Sequence, residues 1–238
     1  MSGEIQSDGM QAVLAGAMPL TMGTVADVRF TAEQALDAIE REVPGAFVEC
    51  GVWRGGCSAA MLLAQRARFG AIDRRTFLLD SFEGLPPATE RDGPLALAWQ
   101  ANTAAPEYFD NCRAAIDDVH AALAALELPA ESWETVPGWF DDTVPALARR
   151  LERERERIAL LRLDGDWYDS TAVCLEHLVP LVSEGGVVIL DDYYAWDGCA
   201  RATHDFLSRH DLPYRLRGIP DGVGAYFVKR AFRSGPEL

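Results

Sequence analysis

The sequence predicts an α/β fold, a seven-stranded, mostly parallel sheet with helices on both faces and an antiparallel last strand. Three observations carry this expectation. From Ala46 onward, short runs rich in Val, Ile, Leu and Phe alternate with longer helical patterns, the signature of stacked βαβ units. A glycine-rich stretch, Gly51-Val-Trp-Arg-Gly-Gly56, stands where the first run passes into a helix, as in Rossmann-like domains. Near the end of the chain, Pro220-Asp-Gly222 separates two further apolar runs and reads as a hairpin turn.

In chain order, residues 1–43 are helix-compatible and are expected to form an N-terminal lid or oligomerisation segment ahead of a main domain at 44–238. Within them, Met10 to Met22 reads either as a lid over the sheet's carboxyl edge or as a packed outer helix. Parallel strands are expected at Ala46 to Val52, Thr76 to Phe82, Trp133 to Val136, Ile158 to Leu163 and Val187 to Leu190. The terminal hairpin takes Pro213 to Ile219 and Gly224 to Lys229. Gly84 to Asn111 is proline-rich, lacks a strong period and is too long for a simple connection, so it is expected to cover a site. The mixed-charge run from Leu151 to Arg157 reads as a solvated helix face.

Composition narrows the classes of function. At 238 residues with 49% hydrophobic content, one core is the default. A formal charge of −15 repels phosphate backbones and anionic headgroups, which argues against nucleic-acid and membrane partners. Five cysteines without a C-x-x-C pair fit a reducing cytoplasm. The N-terminus lacks the basic residues of a signal peptide, and Gly16 and Pro19 interrupt its apolar stretch.

The first strand ends in Glu49-Cys50 and meets a turn whose Gly51 and Gly55 permit close approach of a ligand, with Ser58 on the opening turn of the helix. A carboxylate there is ill suited to a pyrophosphate but suits the ammonium of an amino-acid moiety, which favours S-adenosylmethionine over a dinucleotide. Asp80, with Ser81 beside it, ends the second strand and is the expected ribose ligand, the alternative being a helix N-cap. After the third strand, Gly138, Trp139 and Phe140 are candidates to wall an adenine ring, or are core residues of the next helix.

The fourth strand ends in Asp164-Gly-Asp166 and the fifth in Asp191-Asp192, and neighbouring parallel strands bring these tips together. Such crowded carboxylates repel unless a cation, protons or basic partners compensate them. Oxygen donors without His or Cys point to Mg²⁺, with Mn²⁺ or Ca²⁺ as alternatives, on Asp164, Asp191 and Asp192. Helix capping is the competing role for these acids. Asp164 also reaches toward the cofactor, and Asp164 or Asp166 is the candidate base; His204 is a weaker one. The other histidines, His120, His177 and His210, show no ligand spacing.

Taken together, Phe47-Val-Glu-Cys-Gly-Val-Trp-Arg-Gly-Gly56, Asp80-Ser-Phe-Glu-Gly-Leu-Pro86, Gly138-Trp-Phe-x-Asp-Thr143, Asp164-Gly-Asp-Trp-Tyr168 and Asp191-Asp-Tyr193 resemble the macrocin O-methyltransferase (TylF/MycF) family. The resemblance implies a class I methyltransferase fold, S-adenosylmethionine and Mg²⁺, and methylation of a hydroxyl on a deoxysugar attached to a secondary metabolite such as an antibiotic. It also implies a small-molecule glycoside as partner, a homo-oligomer and a mobile N-terminal lid. By the family's pattern the metal ligands again fall on Asp164, Asp191 and Asp192, with Asp164 proposed as base. Trp53 stands where the common methyltransferase motif has its middle glycine, which leaves the backbone contacts to the cofactor open. Competing readings are a Mg²⁺-dependent catechol-type O-methyltransferase, an NAD-binding protein and a non-catalytic scaffold of the same fold.

Overall fold

The computed structural model describes residues 7–230, so the first six residues of the expected lid lie outside the described part. Seven strands form one sheet in the order β3-β2-β1-β4-β5-β7-β6. They are β1 (Ala46–Cys50), β2 (Thr76–Asp80), β3 (Trp133–Pro137), β4 (Ile158–Leu163), β5 (Val182–Leu190), β6 (Arg217–Gly218) and β7 (Ala225–Val228). The first five are parallel, and β7 runs antiparallel to both β5 and β6. The chain progresses outward from β1 to β3 in one direction and from β4 to β5 in the other, where β7 inserts between β5 and the edge strand β6, so the crevice between β1 and β4 is the topological switch point where open α/β sheets bind ligands.

Helices cover both faces because the strands are apolar on both. Val48 and Cys50 of β1 share one core with Leu161 and Leu163 of β4 and with α7 (Phe140–Glu154), α8 (Tyr168–Leu178) and α9 (Asp197–Arg209). Phe47 and Leu160 point the other way, into the layer built by α2 (Val25–Glu40) and α3 (Gly56–Phe69), as the two-residue strand period requires. On that side α1 (Ser7–Ala17) inserts Met10, Val13 and Ala17 against Ala59, Ala60 and Leu63 of α3, joined by Val119 and Leu123 of α6 (Ile116–Ala125). Most of the segment expected as a lid is therefore packed helix; its Met22 reaches the carboxyl edge of the sheet.

β1 and β2 each end two residues before the expected Val52 and Phe82, and the larger differences from expectation fall at β5 and β6. β5 begins at Val182 rather than Val187: Ser183-Glu-Gly-Gly186, despite its two glycines, continues the strand through a register irregularity, with Gly185 at φ +83°. Of Pro213 to Ile219, Arg217 and Gly218 alone pair as strand. The long connection after β2 holds α4 (Gly93–Ala101) and a short left-handed turn, α5 (Phe109–Cys112). It is fastened by Asp92, which accepts hydrogen bonds from the Tyr168 N–H at 2.6 Å and from the Thr89 N–H and hydroxyl. At the end of α7, Glu152 to Arg155 are exposed, as the mixed-charge run suggests.

Candidate active site

The sheet ladder continues past the strand ends and brings the tips into line. The Gly51 N–H donates to Leu79 O, the Asp164 N–H to Cys50 O and the Asp191 N–H to Leu163 O, at 2.8–2.9 Å. Gly51 adopts φ +89°, and a β-carbon there would lie 1.7 Å from the Asp164 carbonyl oxygen. The crossing of the two tips thus requires glycine both for its backbone angle and for space.

These tips floor an open cleft. Of the expected cofactor residues, Gly51, Asp80, Ser81, Trp139, Phe140 and Asp164 line it, with Asp166 beside them. Trp53, Leu85, Pro86 and Cys112 complete much of the wall, so the connection after β2 does cover a site. Asp80 braces the glycine turn: one oxygen accepts from the Val52 and Trp53 N–H groups at 2.7 and 3.0 Å, the other from Phe82 N–H at 2.7 Å. Burial raises its pKa against the pull of those N–H groups. The brace helps hold Trp53 at φ +47°, a left-handed conformation unusual for a bulky residue. Gly55, at φ +91°, is the N-cap of α3, and Gly138, at φ +131°, joins the β3 tip to Asp80 O.

Glu49 and Ser58 lie beneath this cleft. Both are fully buried and hydrogen-bond each other, and the other Glu49 oxygen accepts from Arg162 at 2.9 Å. Arg162 is the residue the sequence reading missed. The register aligns Glu49 with Arg162, and the period of two puts Arg162, Asp164 and Asp191 on the same face of the sheet. Its side chain, 1% exposed, lies 2.9 Å from Glu49, 2.7 Å from Asp164 and 2.6 Å from Asp191. The signal was available: a charge inside Ile158-Ala-Leu-Leu-Arg-Leu163, a strand buried on both faces, must have a partner.

Beyond the guanidinium the acids crowd. Carboxylate oxygens of Asp164, Asp166 and Asp192 all lie within 4.8 Å of one another. Asp192 accepts from the Asp166 N–H at 2.9 Å, and Trp196 Nε1–H donates to Asp166 Oδ1 at 2.9 Å. Burial, followed by repulsion from Asp164, pushes the Asp166 carboxyl up to about 8, and burial with repulsion from Asp166 holds Asp192 well above the carboxylate range. Burial raises Asp191 and Glu49 to about 7 each, against the pull of Arg162. Asp191 Oδ1 is buried without a well-directed hydrogen bond despite its short contact with Arg162. Trp99, Trp167 and Trp196 meet edge to face beside the cluster, with ring centroids 5.2–6.0 Å apart, and Trp167 Nε1–H donates to Pro86 O. His204 bonds the Tyr193 hydroxyl at 2.8 Å and does not line the cleft.

Strand order, glycine turn and a ligand cleft at the switch point define a class I methyltransferase fold. The chain belongs to the macrocin-O-methyltransferase (TylF) family, whose sequence profile matches residues 17–229. It is 38% identical, over 78% of its length and 66% of the relative's, to an 8-demethyl-8-(2,3-dimethoxy-α-L-rhamnosyl)-tetracenomycin-C 4'-O-methyltransferase of Streptomyces olivaceus. It is 33% identical, over 82% of its length and 72% of the relative's, to a mycinamicin III 3''-O-methyltransferase of Micromonospora griseorubida. The solved O-methyltransferase NovP superposes with a TM-score of 0.73 at 31% identity, covering 89% of this chain and 83% of that one. Among the described residues no helix is long and apolar enough to cross a membrane.

Proposed function

We propose that the protein transfers the methyl group of S-adenosylmethionine to a hydroxyl of a sugar, a deoxysugar in particular, carried by a small-molecule natural product, with a divalent cation, Mg²⁺ first, at the acid tips. The observation that carries the reading is the cleft at the switch point, which brings the glycine turn, Asp80 and the carboxylates of Asp164 and Asp166 to one wall. The rhamnosyl-bearing substrate in the name of the tetracenomycin relative supports the acceptor class.

The donor set fits a hard dication. It is all oxygen, three carboxylates converge within 4.8 Å, and a fourth, Asp191, has a buried oxygen without a directed donor. Asp164, Asp191 and Asp192 would hold the ion, with Asp166 completing the acidic wall. When bound, it supplies Lewis acidity that makes an acceptor hydroxyl easier to ionise. The chain's own residues do the rest. Gly51 and the Asp80-braced turn seat the cofactor, while Trp139 and Phe140 offer an apolar wall to its adenine. S-adenosylmethionine, when bound, would supply an electrophilic methyl group to the acceptor oxygen and leave as S-adenosylhomocysteine, and Asp166, steadied by Trp196, is well placed to take the hydroxyl proton. Homo-oligomeric assembly in the cytoplasm belongs to the same proposal, and light scattering on the purified protein checks the first part.

Incubation with methyl-labelled S-adenosylmethionine and a panel of deoxysugar glycosides, their aglycones and catechols tests the function. Label on the sugar of a glycoside is the expected result; label on catechols alone would replace the acceptor class, and no label in any acceptor would remove the activity.

Two further outcomes follow from the geometry. Asp80→Ala leaves three turn N–H groups without their acceptor and is expected to weaken S-adenosylhomocysteine binding at least tenfold and stability by about 1–3 kcal/mol. Calorimetric titration and urea unfolding read both; unchanged affinity would exclude Asp80 from the cofactor site. The second concerns pH. Asp166, Asp191 and Glu49 have folded pKa values raised to about 8, 7 and 7, so the ion-free folded state binds more protons than the unfolded chain. Their contribution is fully present below the unfolded carboxyl values and is lost as pH rises through about 7–8. Melting temperature in chelator should fall across that interval, and Mg²⁺ should abolish the fall; a flat profile in chelator would contradict the strain ascribed to the acids.

A further inference from the structure

We propose that Arg162 is a positioning residue for the cation site, an internal counter-cation that holds Asp191 in the ion-free protein and competes with the dication for it. This rests on the reading that the acid tips bind a dication.

The guanidinium is anchored from below. Nη1 donates to Glu49 Oε1 at 2.9 Å, and Glu49 is itself fixed by the Ser58 hydroxyl on the opening turn of α3. With that end held, the planar fork aims Nη2 at Asp191, 2.6 Å away, while Nη1 also reaches Asp164 at 2.7 Å. Asp191 is the acid at the two tips that stays outside the group of carboxylates gathered within 4.8 Å. Its contact with the guanidinium is short but not aligned as a hydrogen bond, and Oδ1 has no other donor. The arrangement pairs Asp191 with the guanidinium, while its chain neighbour Asp192 belongs to the convergence with Asp164 and Asp166.

Two consequences follow from elementary electrostatics. A fixed positive charge within a few ångströms of a dication lowers the affinity for it, and a carboxylate already paired must give up that partner to become a ligand. Arg162 therefore sets the cation affinity below what four acids alone would give. It also compensates the acids when the ion is away, which the fold needs because the Glu49 carboxylate is fully buried.

The test is Mn²⁺ titration, by calorimetry and by electron paramagnetic resonance, of the full-length wild type, Arg162→Gln, Arg162→Lys, Asp191→Asn and the Arg162→Gln/Asp191→Asn double variant. Arg162→Gln, which keeps an amide donor without the charge, should bind Mn²⁺ at least tenfold more tightly than wild type. Arg162→Lys, which keeps the charge but not the fork, should fall between them. In the Asp191→Asn background the gain from Arg162→Gln should be clearly smaller than in the wild-type background but not abolished, because one of the two carboxylates that Arg162 contests is gone while Asp164 stays paired with it. An undiminished gain there, or Arg162 variants that bind Mn²⁺ no more tightly than wild type, overturns the proposal; if Arg162→Gln does not fold, Arg162→Lys against wild type decides by the same criterion. Wild-type protein that binds no Mn²⁺ by either method removes the cation reading itself, and this inference with it.

Discussion

Asp192→Asn is expected to lower methyl transfer on the order of 10²- to 10³-fold, the rate equivalent of several kcal/mol of lost Lewis-acid assistance, while leaving the ion-free protein folded and more stable than wild type. The two effects have one cause. Asp192 is buried against Asp164 and Asp166, and its pKa is held well above the carboxylate range, so the ionised form is costly in the absence of a cation. Asparagine removes that charge, and its side-chain oxygen can still accept the Asp166 N–H, which Asp192 accepts at 2.9 Å. Thermal unfolding in chelator should show a raised melting temperature for the variant, and added Mg²⁺ should no longer shift it. A variant less stable than wild type in chelator would mean that Asp192 serves the fold rather than a cation.

Gly51→Ala is expected to disrupt fold and function together. The residue sits at φ +89°, and the added methyl would fall 1.7 Å from the Asp164 carbonyl oxygen, so the β1 and β4 tips must separate. The left-handed backbone and the forced displacement together cost about 2–5 kcal/mol. Separation moves Asp164 relative to Gly51 and Asp80, which share the cleft wall, so any folded fraction should have lost cofactor affinity as well. Urea unfolding and S-adenosylhomocysteine titration measure the two; a variant with near wild-type stability would show that the tips do not need their close crossing.

Much of this arrangement was legible in the sequence because its signals are local. β1, β2 and β4 are apolar runs bounded by turn residues, and the acids of the strand tips follow directly on them, so fold class and the acidic end of the sheet could be read without tertiary information. What was not legible depends on register. Glu49 reads as an acid near a ligand; what the sequence does not show is that the register sets it opposite Arg162, buried beneath the first turn of α3. Arg162 looks like one polar residue in an apolar strand until three strands from distant parts of the chain are laid side by side. Trp196 reaches Asp166 across 30 residues of chain, and Asp92 fastens the connection after β2 to Tyr168 across 76. The start of β5 was hidden by Ser183-Glu-Gly-Gly186, whose composition favours a turn while its position beside β4 keeps it in the sheet.

On the proposed function, acids at the ends of β4 and β5 gather one dication beside the methyl donor. Glycoside methylation measured in protein stripped of metal and assayed with chelator, then titrated with Mg²⁺, tests it most directly. Transfer should fall to background and return in a single saturable phase on adding Mg²⁺; turnover unchanged through complete chelation would contradict it.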